Sequence, residues 1–368
     1  MAIYLDWNAA TPPEPTVLDV VANVQRELWA NPSSPHADGR RARARLEEAR
    51  EAVARLLGVE PGAVTFCSSG TEALNFAARG LTKKGSHVLV SAVEHRALLE
   101  PLEALAGEAL VEKVPVDSEG RVSPEEVERR IRPGTAFVAV LAAQNETGVL
   151  QPIDALHEVT RKKGTRLLVD AAQAVGRIDR DWTRGWDYLV LSGHKMRAPR
   201  GAAAFVRAKD APAPRALLAG GGQELGRRAG TEDVAAIAGL GAACALVPAR
   251  ARLEGELRGR RERFERALLE RVPGAKVAGA SAPRLPQTTA LLVPGARSED
   301  LLAALDLEGV RASAGSACSS GALEPSHVLA AMGTPGDLAR GVVRFSFGET
   351  TGEEELAQAV TILSRIVE

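Results

Sequence analysis

Short apolar runs at 63–67, 87–91, 136–141, 166–170, 187–191 and 202–206 are bounded by Gly, Ser, Asp or charged residues. Runs this short, flanked this way, predict buried strands. Between most of them the apolar positions recur every three or four residues, which predicts helices at 41–57, 71–80, 97–106 and 152–163. Strand and helix alternating in this way predict an α/β fold, a mostly parallel sheet covered by helices on both faces. Ligands of such sheets lie beyond the carboxyl ends of the strands. After about residue 250 the texture changes to a long charged helix at 252–271, an apolar run at 288–293, a helix at 298–307, a strand at 342–347 and a final helix. The expected organisation is therefore a large α/β domain over 14–250 and a smaller α+β domain made of 1–13 and 251–368. No fixed-period repeat is present, which excludes a solenoid or propeller.

Composition narrows the function. With 45% hydrophobic and 25% charged residues, the 368-residue chain is a folded globular protein. A formal charge of −1 supplies no field to draw nucleic acid or an anionic membrane, and neither is an expected partner. The three cysteines, Cys67, Cys244 and Cys318, are far apart and odd in number. That argues against a disulfide framework or a structural metal site and fits a reducing compartment. No apolar run reaches the ~18–20 residues of a membrane span, and the first residues are too mixed for a signal peptide, so the expected location is the cytoplasm.

Candidate chemistry follows the predicted strands. Ser192-Gly193-His194-Lys195 forms a polar turn just beyond one of them; a partly desolvated lysine there can form a Schiff base, or it is an ordinary loop lysine. Asp170 ends another strand, where a buried carboxylate calls for a cation, such as the protonated ring nitrogen of pyridoxal phosphate, or caps the next helix. Ser68-Ser69-Gly70-Thr71-Glu72 runs from strand into helix and offers free N–H groups to a phosphate, or simply a capping box from Ser69 to Glu72. It is no Walker loop, and no GxGxxG follows any predicted strand. His95 falls beyond the strand at 87–91, where a ring can stack on a cofactor and move protons. Cys318 sits in a run of Ala, Ser and Gly that cannot fill a core and so presents its thiol, whereas Cys67 and Cys244 have apolar neighbours and read as core residues.

Taken together, these motifs resemble the cysteine desulfurases of the iron–sulfur cluster assembly type. These are class V aminotransferase relatives with the fold-type I architecture of pyridoxal-phosphate enzymes. The resemblance runs from Tyr4-Leu5-Asp6-Trp7-Asn8 and Asn31-Pro32-Ser33-Ser34 through the Glu94-His95, Gln144-Asn145-Glu146-Thr147-Gly148 and Val169-Asp170-Ala171-Ala172-Gln173 motifs. It continues through Arg228-Ala229-Gly230-Thr231 and the cysteine loop to Val343-Arg344-Phe345-Ser346. It implies a mostly parallel seven-stranded sheet with Lys195 carrying pyridoxal phosphate, Asp170 on the ring nitrogen, Gln173 on the ring hydroxyl and His95 stacked on the ring. Gly70, Thr71, Ser192, Gly193 and His194 would seat the phosphate, joined by Thr231 from the other subunit of a homodimer. Asn145 would touch cofactor and substrate, Asn31 and Arg344 would bind substrate, and Cys318 would take sulfur from L-cysteine as a persulfide. Alanine would be released, and a sulfur-acceptor or iron–sulfur scaffold protein would receive the sulfur. The chain departs from the family at Leu225, where an arginine is common, and at Met196-Arg197-Ala198-Pro199-Arg200 after the lysine. Selenocysteine lyase, cysteine-sulfinate desulfinase and plain aminotransferase are rivals that use the same cofactor. A non-catalytic sulfur-transfer platform and a nicotinamide dehydrogenase are rivals from other classes.

Overall fold

The computed structural model describes residues 2–315 and 326–368; Cys318 lies outside the described residues. In chain order the elements are β1 (Ile3–Tyr4), α1 (Pro15–Glu27), α2 (Ala37–Leu57), β2 (Val64–Cys67), α3 (Gly70–Leu81), β3 (His87–Ser91), α4 (Arg96–Glu103), β4 (Leu110–Val114), α5 (Pro124–Arg130), β5 (Thr135–Leu141), α6 (Ile153–Lys162), β6 (Leu167–Asp170), β7 (Tyr188–Ser192) and β8 (Ala203–Arg207). Then follow α7 (Val234–Ala251), α8 (Glu254–Arg271), β9 (Lys276–Val277), β10 (Thr288–Leu292), α9 (Ser298–Leu307), β11 (Val310–Arg311), α10 (His327–Ala331), α11 (Gly336–Ala339), β12 (Val342–Ser346) and α12 (Glu353–Val367).

A seven-stranded sheet in the order β2-β8-β7-β6-β5-β3-β4 forms the centre of the larger part. Strands β3 to β7 pair in parallel, and β8 runs against both β7 and β2. The carboxyl ends of β2, β3, β5, β6 and β7 therefore share one edge. All six expected strands of this part form within one residue of their expected limits. Its two faces bury separate apolar clusters. One is built around Leu89, Val138, Val169 and Leu189 with α2 and α7, the other around Val88, Phe137, Val190 and Phe205 with α3 and α4. The second part has its own cluster, in which Ile3 and Leu5 pack with Phe264, Phe345 and Leu363. Here β12, β10 and β9 form an antiparallel sheet, and β1 pairs in parallel with β11.

Several local outcomes differ from expectation for identifiable reasons. The helix expected at 97–106 stops at Glu103 because the amides of Leu105 and Ala106 close tighter turns on Leu102 and Glu103, and Gly107 then turns the chain at φ 95°. The edge strand β4, Leu-Val-Glu-Lys-Val, carries no buried run except Val114 and escapes hydrophobic patterning. Helix α7 is long and apolar enough to cross a membrane by composition, but most of it is buried, and it packs on α1 and α2. Its Ala- and Gly-rich surface is apolar all round, so it has no amphipathic period to detect. Glu224 and Leu225 hold left-handed backbone, φ 49° and 58°, outside glycine's usual territory. Buried Glu224 is fixed by both Arg50 guanidinium nitrogens at 2.7 and 2.8 Å and by the Phe66 amide at 2.8 Å, while Leu225 stays exposed.

Candidate active site

The strand ends of the main sheet open into a cavity of about 290 Å³, closed on its far side by Asn8, Gly315, His327 and Arg344. Four strand ends supply its floor: β2 leads to Gly70 and Thr71, β3 to His95, β6 to Asp170 and Gln173, and β7 to Ser192, His194 and Lys195. The loop after β5 adds Asn145 and Glu146.

One end is built for an anion. Ser69 caps α3 by accepting the Glu72 amide at 3.1 Å. The expected capping box forms only in this half, because the Glu72 carboxylate turns to the Ser68 amide and to Arg228. The first amides of α3 are left pointing out of the helix, at its positive end. Opposite them, Ser192 Oγ lies 3.1 Å from His194 Nδ1. Burial, aided by repulsion from Lys195, lowers the His194 pKa to about 4, so the ring is neutral at pH 7. Gly193 cannot be larger, since a Cβ there would meet the Ala202 carbonyl oxygen at 2.8 Å.

Beside the anion seat stand an amine and an acid. Lys195 Nζ donates to the carbonyls of Asn8 and Ala9. Desolvation first, then repulsion from Arg177 and Arg344, lowers its pKa to about 7, leaving much of the amine uncharged at neutral pH. Asp170 is buried, and its side chain has one recorded hydrogen bond among the described residues, from the Ala172 amide at 3.0 Å. Burial raises its pKa. A carboxyl so placed is complete only with a hydrogen-bonding cation. His95 accepts the Ala97 amide at Nδ1, 3.0 Å away, so its neutral ring carries the proton on Nε2; burial lowers its pKa. Gln173 lines the cavity, with its amide nitrogen on the Asn8 carbonyl at 2.8 Å and its oxygen accepting from Arg177.

The opposite end is built for a carboxylate. Arg344 is 2% exposed, reaches Asp6 Oδ1 with Nη2 at 2.5 Å, and donates from Nη1 to the Asn145 and Gly315 carbonyls at 3.0 and 3.2 Å. Its Nε, buried, has no partner among the described residues. Asn8 Nδ2 shares the Asn145 carbonyl at 3.0 Å and also binds Thr288.

Of the residues expected in the site, Gly70, Thr71, His95, Asn145, Asp170, Gln173, Ser192, His194, Lys195 and Arg344 line this one cavity, with Gly193 in the turn that carries the lysine. Asn31 and Thr231 are exposed and do not line it within one chain; Asn31 Oδ1 instead accepts the Ser33 amide at 2.8 Å. Cys67 and Cys244 are buried, and burial raises both thiol pKa values, that of Cys244 to about 12. Arg177 escaped the sequence reading. Largely buried, it holds Asn8 Oδ1 at 2.6 Å, the Trp7 carbonyl at 3.0 Å and the Lys195 carbonyl at 3.3 Å, tying the N-terminal segment to the lysine turn. The four-residue spacing from Gln173, which puts both on one face of a helical turn, was its only signal.

A seat for a dianion, an uncharged amine and a buried acid awaiting a cation fit the phosphate, aldehyde and ring nitrogen of pyridoxal phosphate. The aminotransferase class-V profile matches residues 3–358. Cysteine desulfurase IscS of Dictyoglomus turgidum is 39% identical over 376 residues, covering 100% of this chain and 94% of that protein. A cysteine desulfurase of Nostoc sp. strain PCC 7120 is 38% identical over 374 residues, covering 100% of this chain and 93% of that protein. Among solved structures, a NifS-like protein superposes with a TM-score of 0.91 at 31% identity over 100% of this chain and 99% of its own. Another from Rickettsia africae gives 0.90 at 28%, with the same coverage of both chains. With a profile match and backbone likenesses that run the length of the molecule, the chain belongs to the class-V aminotransferase family of pyridoxal-phosphate enzymes and has their fold-type I architecture.

Proposed function

We propose that this chain is a cysteine desulfurase that converts L-cysteine to L-alanine and passes the sulfur to Cys318, for delivery to iron–sulfur or other thio-cofactor assembly. The observation that carries this reading is the single cavity in which an anion seat, the Lys195 amine, the cation-seeking Asp170 and the buried Arg344 converge. Bound there, pyridoxal phosphate would supply an electron sink that stabilises negative charge at the substrate Cα and weakens its Cβ–S bond. Lys195 offers an amine much of which is free of its proton, and Asp170 would hold the ring nitrogen protonated. The amides opening α3, with Ser192 and His194, would hold the phosphate, and Gln173 has a second amide hydrogen that would serve the ring hydroxyl. Arg344, which lines the cavity, would offer its planar guanidinium to the substrate carboxylate. His95, whose ring lines the cavity, would stack on the cofactor ring and take part in proton transfer. Cys318 attacks the substrate sulfur as thiolate; the new S–S bond forms as the Cβ–S bond breaks, and the electron pair of that bond stays with the carbon skeleton that becomes alanine.

The same reading makes the chain a cytoplasmic homodimer with no nucleic-acid or membrane partner. Thr231, exposed in its own chain, reaches the neighbouring phosphate seat, and Asn31 serves substrate binding. Residues 14–250 then form the cofactor domain, and 1–13 with 251–368 the domain that carries the thiol. Incubation with L-cysteine and a reductant, with alanine and sulfide measured together, tests it. Equal yields are expected, and Cys318→Ala should keep the cofactor absorbance and cysteine binding while losing sulfide release. Pyruvate, amino transfer, or a preference for selenocysteine or cysteine sulfinate would replace it with one of the rival activities.

A further inference from the structure

The cavity wall holds a histidine that neither the motifs nor the proposed mechanism use. His327 opens α10 and lines the cavity from the side opposite the sheet. Its Nε2 lies 3.0 Å from the Glu94 carbonyl oxygen. A backbone carbonyl only accepts, so Nε2 carries the hydrogen, and the neutral ring keeps its lone pair on Nδ1. His95, one residue beyond that carbonyl, is fixed through its other nitrogen: its Nδ1 accepts the Ala97 amide, so its lone pair is used and its Nε2 bears the hydrogen. One stretch of backbone, 94–97, thus holds both imidazoles of the cavity as Nε2–H tautomers but anchors them through different nitrogens, leaving Nδ1 of His327 and Nε2–H of His95 without a hydrogen-bond partner among the described residues.

L-cysteine arrives as an ammonium ion, and its nitrogen can bond to carbon only after losing a proton. The other basic groups of the cavity are occupied. Glu146 accepts from Ser326 and His194 Nδ1 meets Ser192 Oγ, while Asp170 and Lys195 would be engaged by the cofactor. No described residue bonds to His327 Nδ1. Near the ring stand the Glu94 carbonyl, His95 and, from the loop after β5, Glu146, with Arg96 and Arg344 beyond Glu146.

We propose that His327 is a second acid–base group of the cavity, taking the ammonium proton of incoming L-cysteine on Nδ1. The substrate is that of the desulfurase reading above, and the inference rests on that reading. The N–H bond of the ammonium breaks with its electron pair left on nitrogen, and the new N–H bond forms at Nδ1. The resulting imidazolium keeps its Nε2–H on the Glu94 carbonyl and loses the added proton to water when alanine leaves.

Two measurements test it. Histidine ¹⁵N NMR of the cofactor-loaded protein without substrate should show His327 protonated at Nε2 and bare at Nδ1. In His327→Gln the side-chain amide can still donate to the Glu94 carbonyl but offers no base at the Nδ1 position. Its kcat/KM for cysteine should fall about 10²-fold at pH 7.5 with unchanged cofactor absorbance. The deficit should shrink toward nothing by about pH 9.5, because the free-amine fraction of the substrate rises about tenfold per pH unit below its pKa. His327→Asn, which cannot reach the carbonyl, should show the same pH rescue on top of any loss of stability. An Nδ1–H tautomer, an undiminished His327→Gln rate, or a deficit equal at every pH would overturn the proposal. The NMR result does not depend on turnover: a chain that made no alanine would sink the desulfurase reading, while the tautomer would still decide whether Nδ1 is available as a base.

Discussion

The two ends of the cavity are built differently. At the cofactor end, Asp170, Ser192 and Lys195 stand on or just after adjacent parallel strands, β6 and β7, so the sheet itself fixes their separation. At the substrate end, the groups come from distant parts of the chain: Arg344 bonds Asp6, and the Asn8 amide bonds Ser346 Oγ, each across 338 residues of sequence. The first end exists once the sheet is paired, whereas the second exists only when the N-terminal segment, the loop after β5 and β12 have all docked. Cofactor binding should therefore be separable from substrate binding, and the larger losses should come from the end that carries the covalent chemistry.

Lys195→Ala offers the severest test. The absorbance band near ~420 nm expected of a lysine-bound cofactor should disappear, and turnover should drop by about 10⁴-fold or more, as when other covalent catalytic groups are removed. The Arg344 end should remain assembled, because Lys195 Nζ hydrogen-bonds backbone carbonyls of Asn8 and Ala9 while Asn8 is also held there by Ser346, Asn145 and Thr288. A lysine variant that keeps the band would remove the basis for distinguishing the two ends.

Arg344→Ala should do the reverse. Loss of the guanidinium leaves Asp6 without its ion-pair partner and the Asn145 and Gly315 carbonyls without a donor. Truncating one member of such a buried pair costs about 2–5 kcal/mol, so kcat/KM for cysteine should fall about 30- to 5 × 10³-fold, mostly through KM. The cofactor band should survive, measured alongside the cysteine concentration dependence. If the band is lost as well, the two ends form a single folding unit.

This difference also explains what could be read from the chain. The cofactor end was legible because each of its residues follows a buried strand within a few positions, so a local motif such as Ser192-Gly193-His194-Lys195 already states its place in space. Helix α9 and strand β3 were legible for the same reason, as their patterns are self-contained. Arg344 was assigned only through resemblance, since an arginine in an apolar strand does not reveal that Asp6 neutralises it. Arg177 and His327 were not seen at all. Their roles depend on carbonyls of Trp7, Lys195 and Glu94, and a backbone acceptor leaves no mark in a sequence.

Glu94 belongs to both ends, and it provides the finest test. Its side chain is fully buried near Asp170, accepting Ser91 Oγ at 2.8 Å and the Leu141 amide at 2.5 Å on Oε1, while Oε2 has no partner among the described residues. Burial, then the charge of Asp170, pushes its pKa up to about 8 from the usual 4.5. Between these two values the folded protein holds a proton that the unfolded chain has released, so Glu94 makes stability fall as pH rises through this window; the contribution is complete below the lower value and gone above the upper one. Glu94→Gln keeps an acceptor at Oε1 and cannot ionise, so its stability relative to the parent should improve from pH 5 to pH 8 by no more than about 1.4 kcal/mol per unit. Denaturant midpoints of both proteins at several pH values measure this, and parallel profiles would show that Glu94 is not protonated in the fold. Turnover should change by less than about threefold, because the Glu94 carbonyl that orients His327 is untouched and an uncharged Glu94 already resembles Gln. A larger change, seen in both cofactor affinity and KM, would mean that the floor of the cavity transmits strain from one end to the other, and that the separation inferred from Lys195 and Arg344 fails at the residue the two ends share.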